Sequence, residues 1–340
     1  MAAVDWAIVV GITSYPNLGP NTKPLQGPHL DAQAFRDWLV DPAGGGVPPD
    51  NIRLILWPPG SDTEKMGSVH AEIRGAVDEL RRLANRKAQQ GEGKHIGRRL
   101  YVYMSGHGFS PRSEETETVL LMPNADVVQC VGPSFHWPGV YTANFFYKQA
   151  CFDEVLLFMD CCRTQVSLPS LDEPWNFQDD LVLYPNVKAF YAFAAKRGLA
   201  AYEQEDAAGN KRGAFTMALL AGLRGGAPES PSDDRITTES LRRYLYSTLA
   251  APGPEFTKID PIELSRAQKT YPVTIHLPPN TGDRQVQVCD QRLTIIESAA
   301  AALPGWQLSL KPGYYEARIQ ELGPGQLFEV QGTGAVDVHL

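Results

Sequence analysis

No stretch of this 340-residue chain approaches the roughly 20 consecutive apolar side chains that span a bilayer. The first apolar run, Trp6–Ile12, follows Asp5 with no basic segment before it, and it reads as a first strand, not as a signal peptide. Concentrated positive charge is also missing. Arg81-Arg82 to Lys87 and Arg98-Arg99 are mild groupings, read as solvated helix faces, in a chain of net charge −8. Coating a nucleic acid needs a basic surface, so that class is excluded. Neither a G-x-G-x-x-G turn nor a P-loop lysine occurs, which sets aside a nucleotide-binding α/β domain. The five cysteines (Cys130, Cys151, Cys161, Cys162 and Cys289) form no C-x-x-C pair and leave an odd number. That is neither a disulfide framework nor a zinc site, and it favours a reducing compartment. His29, His70, His95, His136, His276 and His339 show no metal-ligand spacing. The expectation is a soluble, cytoplasmic protein with no cofactor, no metal, and no nucleic-acid or membrane partner.

What the chain does have is a series of short apolar runs with little alternation: Trp6–Ile12, Asn51–Trp57, Leu100–Met104, Val155–Met159 and Ala189–Ala194. Such runs suit parallel strands covered on both faces. Helical patterns lie between them, at Leu30–Leu39, at Val69–Ala88 with Ile73, Val77, Leu80 and Leu83 on one stripe, and more weakly at Ala143–Ala150. Ala214–Leu223 and Thr238–Leu249 follow. The alternation predicts an α/β fold, a mostly parallel sheet flanked by helices.

The character changes near residue 251. A Pro-bearing linker is expected from Ala251 to about Pro261. From Tyr271 onward short alternating runs are separated by turns such as Lys311-Pro312-Gly313 and Gly323-Pro324-Gly325. Their 8–12-residue rhythm predicts a small all-β, sandwich-like domain. The expected division is 1–255 for the α/β domain and 270–340 for the accessory domain.

Two strand ends carry the chemistry. Ser105-Gly106-His107-Gly108 closes one apolar run and Asp160-Cys161-Cys162-Arg163 closes another, with His107 and Cys162 about 55 residues apart. In an open parallel sheet, sites form beyond the carboxyl ends of the strands. A histidine and a cysteine placed there on neighbouring strands can act as base and nucleophile, His107 moving the Cys162 thiol proton and later protonating a leaving amine. The backbone N–H groups of Gly108 and Cys162 could form an oxyanion hole. Strand periodicity chooses between the adjacent cysteines: Asp160 and Cys162 share a side, while Cys161 faces away as a small core residue. Asp160 can then line the pocket for the substrate residue before the scissile bond.

These motifs resemble those of the caspase–metacaspase superfamily of cysteine peptidases. The opening unit from Trp6-Ala7-Ile8-Val9-Val10-Gly11-Ile12 to Leu30-Asp31-Ala32 is similar too, and Ala201-Tyr202-Glu203 with Gly213-Ala214-Phe215-Thr216 resembles bacterial caspase-like peptidases. The resemblance covers about residues 4–250 and implies a caspase-hemoglobinase α/β fold and cysteine endopeptidase activity on protein or peptide substrates. In bacterial members it also implies a regulated stress, cell-death or defence setting, with an activating protein or protease as a further partner. Caspases proper carry Gln two residues before the nucleophile, whereas Asp160 stands there in this chain and Asp31 aligns with the second pocket acid of metacaspases. Ser105 is expected to add a hydroxyl. Two carboxylates in one slot are relieved by a guanidinium, so cleavage after Arg, with Lys second, is expected. Arg163-Thr164-Gln165 departs from the metacaspase pattern. The acidic residues Asp172-Glu173 and Asp179-Asp180 raise calcium activation, but their spacing matches no calcium loop. Arg163, Lys196-Arg197 and Lys211-Arg212 are candidate self-cleavage points. The alternative is a catalytically silent caspase-like scaffold that serves as a protein-interaction module.

Overall fold

The computed structural model describes residues 4–20, 22–112, 116–126, 134–166, 186–229, 234–250, 253–266, 270–278, 281, 284–290, 293–300, 305–310, 313–320, 325–330 and 335–340. Cys130, the acidic residues of 172–180 and the linker residues 251–252 lie outside them.

In chain order the first part runs β1 (Trp6–Ile12), α1 (Pro28–Val40), β2 (Ile52–Trp57), α2 (Ser68–Gln89), β3 (Gly97–Gly106), β4 (Gly108–Pro111), β5 (Val119–Leu121), β6 (His136–Pro138), α3 (Gly139–Lys148), β7 (Phe152–Cys161), β8 (Gln165–Val166) and β9 (Lys188–Phe193). It continues with β10 (Glu203–Glu205), β11 (Lys211–Gly213), α4 (Ala214–Ala221), β12 (Arg235–Thr237), α5 (Thr238–Thr248), β13 (Glu255–Ile259) and β14 (Glu263–Arg266). The chain divides into two compact units, Met1–Ala267 and Gln268–Leu340.

The central sheet has the order β13-β9-β7-β3-β1-β2, with β2, β1, β3, β7 and β9 mutually parallel and β13 antiparallel at the edge. Alternate residues of each strand supply two separate cores, as a sheet covered on both faces requires. Ile8, Val10, Val102, Met104, Leu157 and Met159 face one way, toward Val69, Ile73, Val77 and Leu80 of α2 and Phe146 of α3. Val9, Tyr101, Tyr103, Leu156 and Phe158 face the other, toward Phe35 of α1, Leu219 of α4 and Leu241 of α5. The chain leaves β1 in one direction to β2 and in the other to β3, so a topological switch lies between β1 and β3. Crevices open at the carboxyl ends of strands beside such a switch.

The expected linker to Pro261 is instead sheet structure. Phe256 of β13 is buried against the ring of Phe190, and Arg99, itself buried, donates to the carbonyls of Glu263 and Leu264 in β14. Proline spacing signals a break in a helix but does not exclude a short edge strand. Among the described residues the C-terminal unit has two sheets, one of Gly305–Leu310, Tyr271–His276 and Val336–His339, the other of Ile295–Ala300, Gln285–Cys289, Gly313–Ile319 and Gln326–Val330. Val273, Ile275, Val286, Val288 and Val338 are among its buried core residues.

Candidate active site

β3 and β7 pair in register so that Ser105 lies opposite Asp160 and Gly106 opposite Cys161. The two motifs are therefore neighbours at the same end of the sheet. A cavity of about 210 Å³ opens there, and His107, Cys162, Asp160, Asp31 and Ser105 all line it. Gly108 does not line it: this residue begins β4 and is buried against the Cys161 side chain and the Val119 carbonyl. Cys161 is buried in the sheet core, and burial pushes its thiol far above the ordinary range. Cys162 is half-buried, with Sγ donating to the Ala201 carbonyl at 3.8 Å.

His107 is held from both sides. Its backbone N–H donates to the Tyr15 hydroxyl at 2.9 Å, and the Tyr15 ring tilts against the imidazole at 4.8 Å. Its Nε2 lies 3.1 Å from the Lys23 carbonyl. A carbonyl only accepts, so Nε2 carries the proton and the neutral ring keeps its lone pair on Nδ1. Gly106 makes this possible: a Cβ there would run into the Tyr15 hydroxyl. Burial lowers the His107 pKa, opposed by the Lys23 hydrogen bond and the Glu203 charge. Burial raises that of Cys162, which is also raised by Asp160 and lowered by Lys23. Both shifts favour a neutral thiol beside a neutral imidazole.

The cavity floor is acidic. Oδ2 of Asp160 accepts from the Thr216 hydroxyl at 2.6 Å and the Thr216 N–H at 3.1 Å, and that hydroxyl also contacts the Tyr103 hydroxyl. Asp31, fully buried on α1, accepts from Arg212 Nε at 2.5 Å through Oδ1 and from the Gly213 N–H at 2.8 Å through Oδ2. Both carboxyls are pushed above the usual range, chiefly by burial; the Asp160 charge adds to the rise at Asp31, and Glu203 adds to it at Asp160. Gly213 sits where a Cβ would collide with Asp160 Oδ2.

Glu203 is a third lining carboxylate to which no role follows from the sequence motif alone. Its Oε1 accepts the N–H groups of Gln26 and Gly27, at 2.8 and 2.7 Å. Its buried Oε2 has no partner among the described residues. The hairpin β10–β11 brings it there, pairing Glu203 with Gly213 across the strands. Three-residue strands rich in charge carry no hydrophobic period, so neither the hairpin nor the contact is legible in the pattern.

Arg163, a candidate cleavage point by sequence, is buried and unavailable for that role. Its guanidinium bonds Thr118 Oγ1 at 2.9 Å and Glu255 at 3.0 Å and lies 4.2 Å from the centre of the Phe193 ring. It ties the loop after β7 to β9 and β13. Among the described residues, no group of three His, Cys, Asp or Glu side chains is arranged to hold a metal, and no helix is long and apolar enough to cross a membrane.

No protein-family model matches this chain. A probable protease from a Desulfuromonadales bacterium is 29% identical over 254 residues, covering 71% of this chain and 28% of that protein. The chain thus spans under a third of the length of that curated relative. Caspase-1 from Spodoptera frugiperda matches with a TM-score of 0.44 and 11% identity, over 78% of this chain and 92% of that one. A protein from Geobacter sulfurreducens matches with a TM-score of 0.46 and 12% identity, over 78% and 97%. In sequence this chain is similar to a probable protease.

Proposed function

We propose that this chain is a caspase-like cysteine endopeptidase that cleaves proteins after basic residues, Arg ahead of Lys. Its proposed setting, which the motif resemblance to bacterial members supports, is a regulated stress, cell-death or defence response. One observation carries the reading: His107 and Cys162 share a cavity with Asp160, Asp31 and Glu203.

In the proposed mechanism Nδ1 of His107 takes the Cys162 proton as the thiol leaves the Ala201 carbonyl. The sulfur attacks the scissile carbonyl, and the oxyanion is met by the backbone N–H of Cys162. The imidazolium, kept oriented by the Lys23 carbonyl, protonates the departing amine. Water then enters with His107 as base and releases the acid, restoring the thiol.

Basic specificity follows from charge. Asp31 already has Arg212 and the Gly213 N–H as donors, so it acts on the pocket mainly as a fixed charge. The carboxylate oxygens left without a donor among the described residues are the second oxygen of Asp160 and Oε2 of Glu203, and two separate carboxylates suit the fork of Arg better than a point ammonium. Ser105 adds a hydroxyl to the wall. A substrate Asp would meet uncompensated like charge. The deciding experiment is hydrolysis of matched fluorogenic peptides ending in Arg, Lys or Asp, with and without calcium, by the native chain and Cys162→Ala. Arg turnover that vanishes in the variant supports the proposal. Asp turnover would refute the pocket assignment, and no turnover of any peptide would favour the silent scaffold.

A further inference from the structure

A second cavity, of about 400 Å³, adjoins the first, and His107 and Lys23 line both. Its walls are Tyr15, Pro16, Pro20, Pro24 and Leu25 from the loop after β1, and Pro59 from the turn after β2. The loop's polar groups are largely spent on the protein itself. Thr13 Oγ1 is bonded to His29 through both its backbone N–H and its ring, at 3.0 and 2.9 Å. Thr22 Oγ1 donates to the Leu18 carbonyl at 2.7 Å. The Tyr15 hydroxyl accepts from the His107 N–H and donates to the Leu121 carbonyl. Ser14 and the Lys23 ammonium keep free polar groups on its wall, and the proline rings and tyrosine face make the rest a largely apolar, preformed hollow.

On the reading given under Proposed function, its position relative to the chemistry assigns its occupant. The acyl half of the substrate is bonded to Cys162 and anchored in the acidic cavity. The amine that leaves takes its proton from His107, so the first residue beyond the cut must pass on the imidazole side. That side is the second cavity. We infer that the hollow is the binding site for the substrate residue immediately after the scissile bond, and that it selects a large apolar side chain such as Leu or Phe. The preferred substrate is then a basic residue followed by an apolar one, a requirement the acidic cavity does not impose.

The test uses internally quenched peptides with Arg before the cut and Leu, Phe, Ser or Asp after it, alongside an Arg aminocoumarin amide that has no residue there. The full chain should cleave the Leu and Phe peptides about 10- to 100-fold faster in kcat/KM than the Asp peptide, the discrimination expected of burying one such side chain. Ser14→Trp and Pro59→Trp, which fill the hollow from two sides, should collapse that ratio toward unity. The ratio is read within each variant, so a general loss of activity does not disturb it. A flat profile, or a preference for Asp drawn by Lys23, with the aminocoumarin amide still hydrolysed, overturns the inference alone. An unchanged ratio in both filled variants overturns it as well. Failure to hydrolyse the aminocoumarin amide or any peptide overturns the peptidase reading and this inference together.

Discussion

Asp160→Asn should make the protein more stable at neutral pH while removing its action on Arg substrates. Asp160 is almost wholly buried, and its carboxyl is pushed up to about 6, mainly by burial. The unfolded value is near 3.9, so at pH 7.5 the folded state holds a charge that the unfolded chain carries more cheaply. Each unit of displacement is about 1.4 kcal/mol, which sets the possible gain on the order of 2–3 kcal/mol. Asn keeps an oxygen for the Thr216 N–H and hydroxyl, so little is lost in return. The sign follows from the raised pKa: the neutral carboxyl costs nothing extra below pH 4, and the penalty grows as pH rises through the folded value. Thermal melts of native chain and variant should therefore coincide near pH 4 and separate by roughly 4–8 °C at pH 7.5, with the variant higher. Arg-peptide kcat/KM should fall by about 100-fold or more, since a charged partner to a desolvated guanidinium is gone. A variant that melts at or below the native temperature at pH 7.5 would refute the electrostatic account of this pocket.

Glu203→Gln retains an acceptor for the Gln26 and Gly27 N–H groups but removes the charge facing the cavity. It should lower Arg-peptide kcat/KM by about 10- to 100-fold with melting unchanged within a degree or two, as steady-state kinetics beside calorimetry would show. Because His107 is lowered from its ordinary value, a neutral base persists into mild acid. Burial meanwhile raises the Cys162 thiol, so alkylation by iodoacetamide, which reads the thiolate and does not use the acidic pocket, should have its midpoint above the ordinary thiol value of about 8.5, and a midpoint well below that would contradict the neutral thiol and imidazole. Gly213→Ala drives a Cβ into the Asp160 carboxylate and should both destabilise the chain by about 1–3 kcal/mol in urea titration and abolish Arg cleavage. Arg163→Ala leaves Glu255 and Thr118 without their buried partner and should cost about 3–5 kcal/mol in the same measurement.

Hydrophobic pattern alone is enough for the five parallel strands of the central sheet and most of its helices, because long buried runs such as Val155–Met159 and the stripe Val69, Ile73, Val77 and Leu80 carry a strong period. Strand ends placed His107 and Cys162, and the two-residue repeat put Asp160 on the same side as Cys162. The wall of the site was not written in any period. Glu203 arrives on a three-residue strand, the Lys23 carbonyl and Tyr15 on a proline-rich loop, and Arg212 on the hairpin that answers Asp31. Each is far from its partner in the chain, and a backbone carbonyl has no signature in the residue that bears it. Likewise β13 looked like a linker because its one buried anchor, Phe256, matters only once Phe190 stands beside it. Local sequence thus determined which residues lie at the ends of the central strands, since burial on both faces is a property of the strand itself. Only the tertiary structure decided which charges meet in the cavity and which carbonyl orients the imidazole, because those depend on loops whose course is set by packing against the sheet.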